Sequence, residues 1–508
     1  MTYDGKKGEH TVNLLAGFSA QESKNNGFNI RVRNIPSNEL QVITAGPQLL
    51  AIKEQGYQFW GMVSQFGRLN YAFKDRYLFT ATVRRDGSSR FGPDKRYGVF
   101  PSFSAGWIVS DESFLKSSGL ISFLKLRASH GLTGNDQTGD VWSWRASVRP
   151  LDNIITSYLG GNGSRPVSIQ VGNFSWETTR QTDLGLELAL FNNRLTINAD
   201  YYKRVTRDML YPIALPSTSG FTAVVNNLGS LENKGFELAV GTKNIVKGPF
   251  RWSTDFNISF NKNKLLSLYE GRTQDSQGDF GKSTLLRVGE PISFQGLIID
   301  GINPKTGDFL PRDLDGNGLI NDLDMTIIGT PLPKHFGGIT NRFTYGNLDL
   351  NVFFTWSYGN SIQNTTRSFV EQVRIPTNAA VIANMSRDAF YGRWTTPDQP
   401  AAYRGFDVSN TYAAVGARPT NFYLEDGSYL RLKAVSIGYN LPNVWVQRMK
   451  MSNARFYMNA NNLLTFTKYK GYDPEVNHNN TGTNIQIGYD NGTYPNARNY
   501  AVGFNLTF

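Results

Sequence analysis

The residues best suited to chemistry lie between 313 and 324, in the run DLDGNGLINDLD. Asp313, Asp315 and Asn317 take positions 1, 3 and 5 of a calcium loop, and a glycine, Gly318, takes the turn at position 6. Leu319 offers its carbonyl at position 7, Asn321 stands at 9 and Asp324 at 12. Hard oxygen donors at this spacing wrap one divalent cation, so bound calcium that stiffens a loop is one expectation. Position 12 prefers the longer Glu, so the Asp there weakens the match. The competing reading is an acidic turn that holds its shape by Asx hydrogen bonds.

A second set is aromatic. Trp142, Trp144, Tyr158, Tyr391, Trp394, Tyr403 and Tyr412 fall in long connections rich in Asn and Asp. Rings stack on sugar faces and amides read hydroxyls, which makes these residues candidate substrate contacts. For each ring the alternative is packing among loops or against a partner. Nothing points to catalysis. His10, His130, His335 and His478 are far apart and show no HxxxH spacing, and no GxSxG elbow occurs. Cysteine is absent, which removes disulfides, thiolate metal sites and cysteine nucleophiles.

The elements that must carry these residues are strands. In the terminal run YAVGFNLTF, Tyr500, Val502, Phe504, Leu506 and Phe508 share one face and Ala501, Gly503, Asn505 and Thr507 the other. The same period of two recurs in 184–190, 195–201, 250–260 and 348–358. It puts Glu187, Asn198, Asp200, Glu237, Asp255, Asn257, Asp349, Asn351 and Asn505 on the polar side, where they hydrate a lumen or seat a plug. About fourteen strands are expected, near 9–20, 58–73, 77–87, 98–110, 121–134, 176–190, 195–208, 232–243, 250–264, 335–345, 348–360, 428–441, 453–466 and 497–508. Within 377–393, TNAAVIANMSRDAFYGR has the spacing of a short helix.

Connections between these strands alternate short and long. Two to eleven residues at one end face stretches such as 135–175, 265–334 and 361–427 at the other. A sandwich has no reason to keep that parity, whereas an up-and-down barrel does. The fold expected is therefore all-β, a transmembrane antiparallel β-barrel with long loops extracellular and the C-terminus periplasmic. Composition agrees: 508 residues are only 40% hydrophobic yet 13% aromatic, with 50 Gly. No apolar run reaches the length of a transmembrane helix. The net charge of +11 is scattered among acidic residues, which argues against a nucleic-acid partner and suits a lumen or anionic lipid.

Six collinear segments then resemble the SusC/RagA-type TonB-dependent transporters of Bacteroidetes outer membranes. They are RRDGSSRFGPDKRYGVFPSFSAGWIVSDESFL (84–115), LKLRASHGLTGN (124–135), GSLENKGFELAV (229–240), RWTTPDQPAAYR (393–404), DGSYLRLKAVSIGYNLP (426–442) and NANNLLTFTKYKGYDPEV (459–476). The resemblance implies a wall belonging to a 22-stranded plugged barrel. It also implies a plug, a TonB box that receives energy from the inner membrane, and a SusD-like surface lipoprotein as partner. Nothing in 1–508 matches the plug, the box or a signal peptide, so residues 1–508 are expected to be the C-terminal barrel part of a longer protein. The function so implied is outer-membrane uptake of an oligosaccharide, with a peptide second. Two rivals are a passive porin and an outer-membrane hydrolase using His130 with a serine on an adjacent strand.

Overall fold

The computed structural model describes the chain outside residues 38, 40–41, 43–47, 138–140, 142, 151–163, 167, 173, 222, 228, 278–282, 372–383, 406–417 and 476–486, with side chains also left aside at 28–29, 31, 48–57, 149–150, 164–165, 212, 214 and 217. Fifteen strands form one large sheet in sequential order. They are β1 (Thr2–Lys7), β2 (His10–Arg33), β3 (Gln48–Phe73), β4 (Tyr77–Ser88), β5 (Tyr97–Ile108), β6 (Ile121–Asn135), β7 (Glu177–Leu190), β8 (Leu195–Arg207), β9 (Ser230–Ile245), β10 (Phe250–Ser267), β11 (His335–Tyr345), β12 (Leu348–Tyr358), β13 (Tyr429–Asn440), β14 (Asn453–Thr467) and β15 (Asn499–Thr507).

All fourteen expected strands are present, and β1 corrects the count. Its sequence TYDGKK has no apolar alternation, so only its pairing with His10–Leu15 of β2 reveals it. A second correction concerns 21–57, the long connection left between the expected strands 9–20 and 58–73. There β2 and β3 continue as a hairpin out to Arg33 opposite Gln48. Among the described residues of 377–393, helix forms only over Arg387–Gly392, N-capped by Ser386, whose Oγ accepts from the Ala389 N–H at 3.2 Å. An unexpected helix, Thr365–Glu371, precedes it.

Burial is inverted relative to a water-soluble sheet. Large apolar residues on the strands are exposed, as Val502 is at 80%, while their polar neighbours pair on the other face. The buried apolar residues cluster in the connections instead, where Leu285, Leu286, Phe294, Leu297, Ile362 and Tyr489 are almost fully enclosed. A sheet that turns Leu, Val and Phe outward and its charges inward is stable only with lipid on the outside.

The chain divides into two compact units, 1–107 with 128–182 and 205–230, and 108–127 with 183–204 and 231–508. In the first, a cross-strand row of rings runs His10, Phe73, Tyr77, Trp107, with centroids 4.9, 6.1 and 6.4 Å apart. This row lies beside the short turns, where an aromatic girdle meets the headgroups. At the long-connection end Phe91, Phe100, Phe174 and Trp176 form a small core.

In the second unit one ring row, Phe260, His335 and Tyr358, marks the long-connection end. Another, Trp252 against Phe343 at 5.8 Å, marks the short-turn end. Phe343 is eight positions from His335 along β11. That is about 27 Å of strand, or roughly 20 Å of membrane at a barrel tilt, close to one apolar band.

A buried ionic knot ties the long connection between β14 and β15 to the wall. Arg431 of β13 donates to Asp473 Oδ1 at 2.5 Å and Glu475 Oε2 at 2.7 Å, and the side chains of both Arg431 and Asp473 are 3% exposed. Tyr429 donates to Glu475 at 2.8 Å, and the Asn496 backbone N–H donates to Asp473 at 3.0 Å. Burial opposes ionisation of Asp473, but the Arg431 bond and the backbone N–H groups of Glu475 and Asn496 outweigh it. The carboxyl is held below the usual carboxylate range.

Three outcomes follow from this fold. Phe354→Arg, on the lipid side of β12, is expected to cost about 2–4 kcal/mol in folding into vesicles, whereas Asn257→Arg on the polar face costs under about 1. Arg431→Met leaves a buried carboxylate unpaired and costs about 3–5 kcal/mol. Because the folded Asp473 carboxyl is depressed, its stabilisation is complete above the unfolded value near 4 and is lost as pH falls through the folded one. Pepsin nicking of the loops should therefore accelerate below about pH 4, and Asp473→Asn should abolish that part of the acid response.

Candidate functional site

The inward face of the second unit is built from side chains that alternation alone places there. On β6, Lys125 and Arg127 point to the same side as Glu187 of β7 and Asp200 of β8. Arg127 Nη2 donates to Asp200 Oδ1 at 2.5 Å, its Nε lies 3.2 Å from Glu187, and Lys125 Nζ donates to Glu187 at 3.4 Å. Since β7 lies between β6 and β8, the Arg127–Asp200 bridge must cross it, and it does so over Gly185. A Cβ there would stand 2.6 Å from both Arg127 Nε and Asp200 Oδ1, so only glycine leaves room.

The same device recurs at β12, β13 and β14. Arg455 grips Asp349 in a two-point pair at 2.7 and 2.8 Å, reaching across β13 above Gly438. A Cβ on Gly438 would lie 2.8 Å from Asp349 Oδ1 and closer still to Arg455. Between these bridges Arg342 pairs with Asp255. The inward surface near the short turns is thus strongly polar yet locally charge-balanced. It suits hydration or docking of a polar segment and offers no activated nucleophile.

At the other end, the long connections make a platform. Arg367, N-terminal in helix Thr365–Glu371, clamps Glu371 and Glu425, both at 2.7 Å. Tyr469 donates to Asp490 at 2.5 Å, and the Tyr489 hydroxyl sits 2.6 and 2.7 Å from Ser283 and Thr284. Beside this network opens a cavity of about 570 Å³ lined by Pro331, Leu332, Ser357, Asn360, Tyr429 and Asn496, among others. Its walls combine prolines and aliphatic side chains with hydrogen-bonding groups and one carboxylate, Glu475, which Arg431 and Lys433 already pair.

The 313–324 run folds as a tight exposed loop. Carboxylate oxygens of Asp313, Asp315 and Asp324 lie within 4.8 Å of one another. Asp313 accepts from the N–H groups of Gly316 and Gly318, each at 2.7 Å, and Asp315 accepts from Asn317. Asn321 caps the turn Asp322–Asp324 and also donates to the Leu319 carbonyl at 3.2 Å. Backbone N–H groups of Asn321 and Leu314 bond Asp324 and hold its carboxyl below the usual range. The Asx bonds shape the loop by themselves, and the three carboxylates converge on one another.

The aromatic residues separate by environment. Trp142, Tyr158 and Tyr412 lie outside the described residues. Trp144 packs against the Phe91 core and donates from Nε1 to the Ser89 carbonyl at 3.3 Å. Trp394 donates to the Pro304 carbonyl at 2.7 Å, and its ring covers Gly307, whose φ of 73° and lack of a Cβ permit the approach. Tyr403 sits edge-on to Phe422. These three fasten loops to one another. Tyr391 differs: it is 75% exposed beside Phe390 at 5.2 Å, free to meet a ligand or partner.

Sequence reasoning found Glu187, Asp200, Asp255 and Asp349 as inward residues but missed their partners Arg127, Arg342 and Arg455 and the glycines beneath the bridges. Alternation carries the face of each residue, and the cross-strand register that pairs them exists only in the sheet. The hydrolase reading fails at its central residue, for exposed His130 bonds Thr182 Oγ1 at 2.8 Å, not a serine.

Residues 2–463 match the family described as TonB dependent receptor-like, beta-barrel. The chain is 36% identical over its whole length to TonB-dependent receptor P3 of Formosa agariphila, covering 52% of that protein. It is 31% identical over 88% of its length to TonB-dependent receptor SusC of Bacteroides thetaiotaomicron, covering 44%. In structure it superposes along its full length on 54% of a chain from the RagAB peptide transporter, with 26% identity and a TM-score of 0.84. The chain therefore spans about half the length of the relatives it matches. These relatives are receptors and transporters, not enzymes. The chain belongs to the TonB-dependent receptor β-barrel family of outer-membrane proteins.

Proposed function

We propose that the chain forms the wall and external platform of an active importer that takes up an oligosaccharide too large for porins. The observation that carries this is the pairing of an inverted, charge-lined wall with a 31% identity to SusC. Long connections face outward and the C-terminus lies on the periplasmic side. The support is the alternation of short and long connections, with ring rows at both ends of the second unit. A SusD-like surface lipoprotein meets the platform, and TonB supplies energy through a plug-bearing part of the full-length protein. Peptide uptake is the second reading, favoured by the likeness to the RagAB peptide transporter.

Calcium is part of the same reading. Asp313, Asp315, Asn317, the Leu319 carbonyl, Asn321 and Asp324 would supply its oxygens, and the ion would stiffen the loop without entering any chemistry.

Full-length protein in its own cells should import labelled oligosaccharides only when TonB is present, with Tyr391→Ala weakening uptake about tenfold if its ring stacks on sugar. Uptake of peptides alone would select the second reading, and uptake indifferent to TonB would select a porin. Added calcium is expected to slow proteolysis between 313 and 324 with half-effect on the order of 10⁻⁴–10⁻³ M, and Asp313→Ala to remove the effect. Protection identical with calcium and with chelator would leave the acidic turn as the whole account.

A further inference from the structure

The lipid side of β8, β9 and β10 changes character where it leaves the apolar band. These strands are neighbours in the middle of the sheet. Hydrogen bonds fix which of their residues face inward. Tyr202 donates to Asn261 Oδ1 at 3.0 Å, and the Asn261 and Asn263 amides donate to Asn233 Oδ1 at 3.3 and 2.9 Å. Alternation then turns Lys203, Glu232, Lys234, Lys262 and Lys264 to the outer side. Next to them on that side, toward the short turns, lie the exposed rings of Tyr201, Phe236 and Phe260.

Phe260 belongs to the ring row with His335 and Tyr358 at the long-connection end of this unit. Lys262 and Lys264 follow it along β10. They stand about 7 and 13 Å further along the strand, or roughly 5 and 10 Å higher at a barrel tilt, which is headgroup depth. Lys203 pairs with Glu232 at 2.9 Å, Lys234 lies 3.8 Å from the same carboxylate, and Lys264 acts on it electrostatically. The Glu232 side chain is nearly enclosed, whereas those of Lys203 and Lys234 are half exposed. Among the described residues no carboxylate lies within ion-pair distance of Lys262 or Lys264. These five side chains thus set four ammonium charges against one carboxylate, whereas the inward wall matches cation with carboxylate.

We propose that this patch holds a phosphorylated glycolipid of the outer leaflet, its phosphate gripped by Lys234, Lys262 and Lys264 and its acyl chains lying on Tyr201, Phe236 and Phe260. The assignment rests on the orientation proposed above, with the long connections extracellular. The occupant is an amphiphile because the cations adjoin an apolar wall at the height where a bilayer passes from chains to headgroups. Its anion is a phosphate because ammonium groups bind phosphate as point charges, so several can converge on one group. Glu232 takes Lys203 at the shorter distance, which leaves the other three ammonium groups for the ligand.

The test is lipid retention by the full-length protein, purified from outer membranes in mild detergent and read by native mass spectrometry with a phosphorus assay. Wild type should keep a phosphorylated glycolipid through washing. Lys262→Gln and Lys264→Gln should each keep about fivefold less and the double variant about thirtyfold less, while Lys262→Arg with Lys264→Arg should keep most of it. Both positions are exposed, so heat-modifiable mobility should report a normal fold in every variant. Wild-type retention in the double Gln variant overturns the proposal, as does a glycerophospholipid or an acidic protein held there instead. Orientation is read separately, by labelling Leu319→Cys, at an exposed position, on intact cells with a membrane-impermeant maleimide and wild type as the blank. Labelling without lysine-dependent glycolipid overturns this site and leaves the orientation standing. Failure to label removes the orientation and the site with it.

Discussion

Everything in this molecule depends on one constraint: in a bilayer a strand amide has only another strand to bond. Hydrogen-bonding groups left open in hydrocarbon cost several kcal/mol each, so the wall must be a continuous sheet of neighbours paired in sequence order. Once the backbone is committed in that way, side chains have two destinations. Period two sends Val502, Phe504 and Leu506 to lipid and Gly503 and Asn505 to the interior. The inversion of burial follows, and with it the need for the connections to carry their own core.

The interior face shows how a wall can be charged without carrying a net field. Arg127 with Asp200 and Arg455 with Asp349 each span three strands, and the middle strand yields by having glycine at Gly185 and Gly438. Glycine weakens a strand on its own account, through entropy and lost packing. Here that loss is offset by a two-point or shared ion pair whose donors would otherwise clash or hang unpaired. Such pairs lie on the polar side, so their desolvation is partial and their cost moderate.

The platform of long connections is a different kind of structure, packed like a small soluble protein. Leu285, Phe294 and Tyr489 fill its centre, and the knot of Arg431, Asp473 and Glu475 joins it to the wall. That junction explains why Trp394 and Tyr403 are fasteners. Rings within a packed loop body hold neighbouring loops in place, and only a ring at its rim, such as Tyr391, remains open to visitors. The acidic loop at 313–324 hangs from the same body, preshaped by Asx bonds whether or not an ion joins it.

By itself the sequence determined the wall: fourteen expected strands, five of them with a clear period of two, the parity of short and long connections, and the side of each residue from Glu187 to Asn505. These are local properties, written in the order of apolar and polar residues. Six collinear segments pointed to the family in the same local way. The tertiary structure alone decided what each inward residue meets, because pairing depends on register between strands far apart in sequence. It added β1, whose TYDGKK carries no alternation and is a strand only because β2 offers it an edge. It extended β2 and β3 as a hairpin through residues outside the expected strands 9–20 and 58–73. It also separated Trp144, Trp394 and Tyr403 from Tyr391, since all four are aromatic residues in long connections, and burial comes from neighbours that only folding brings near.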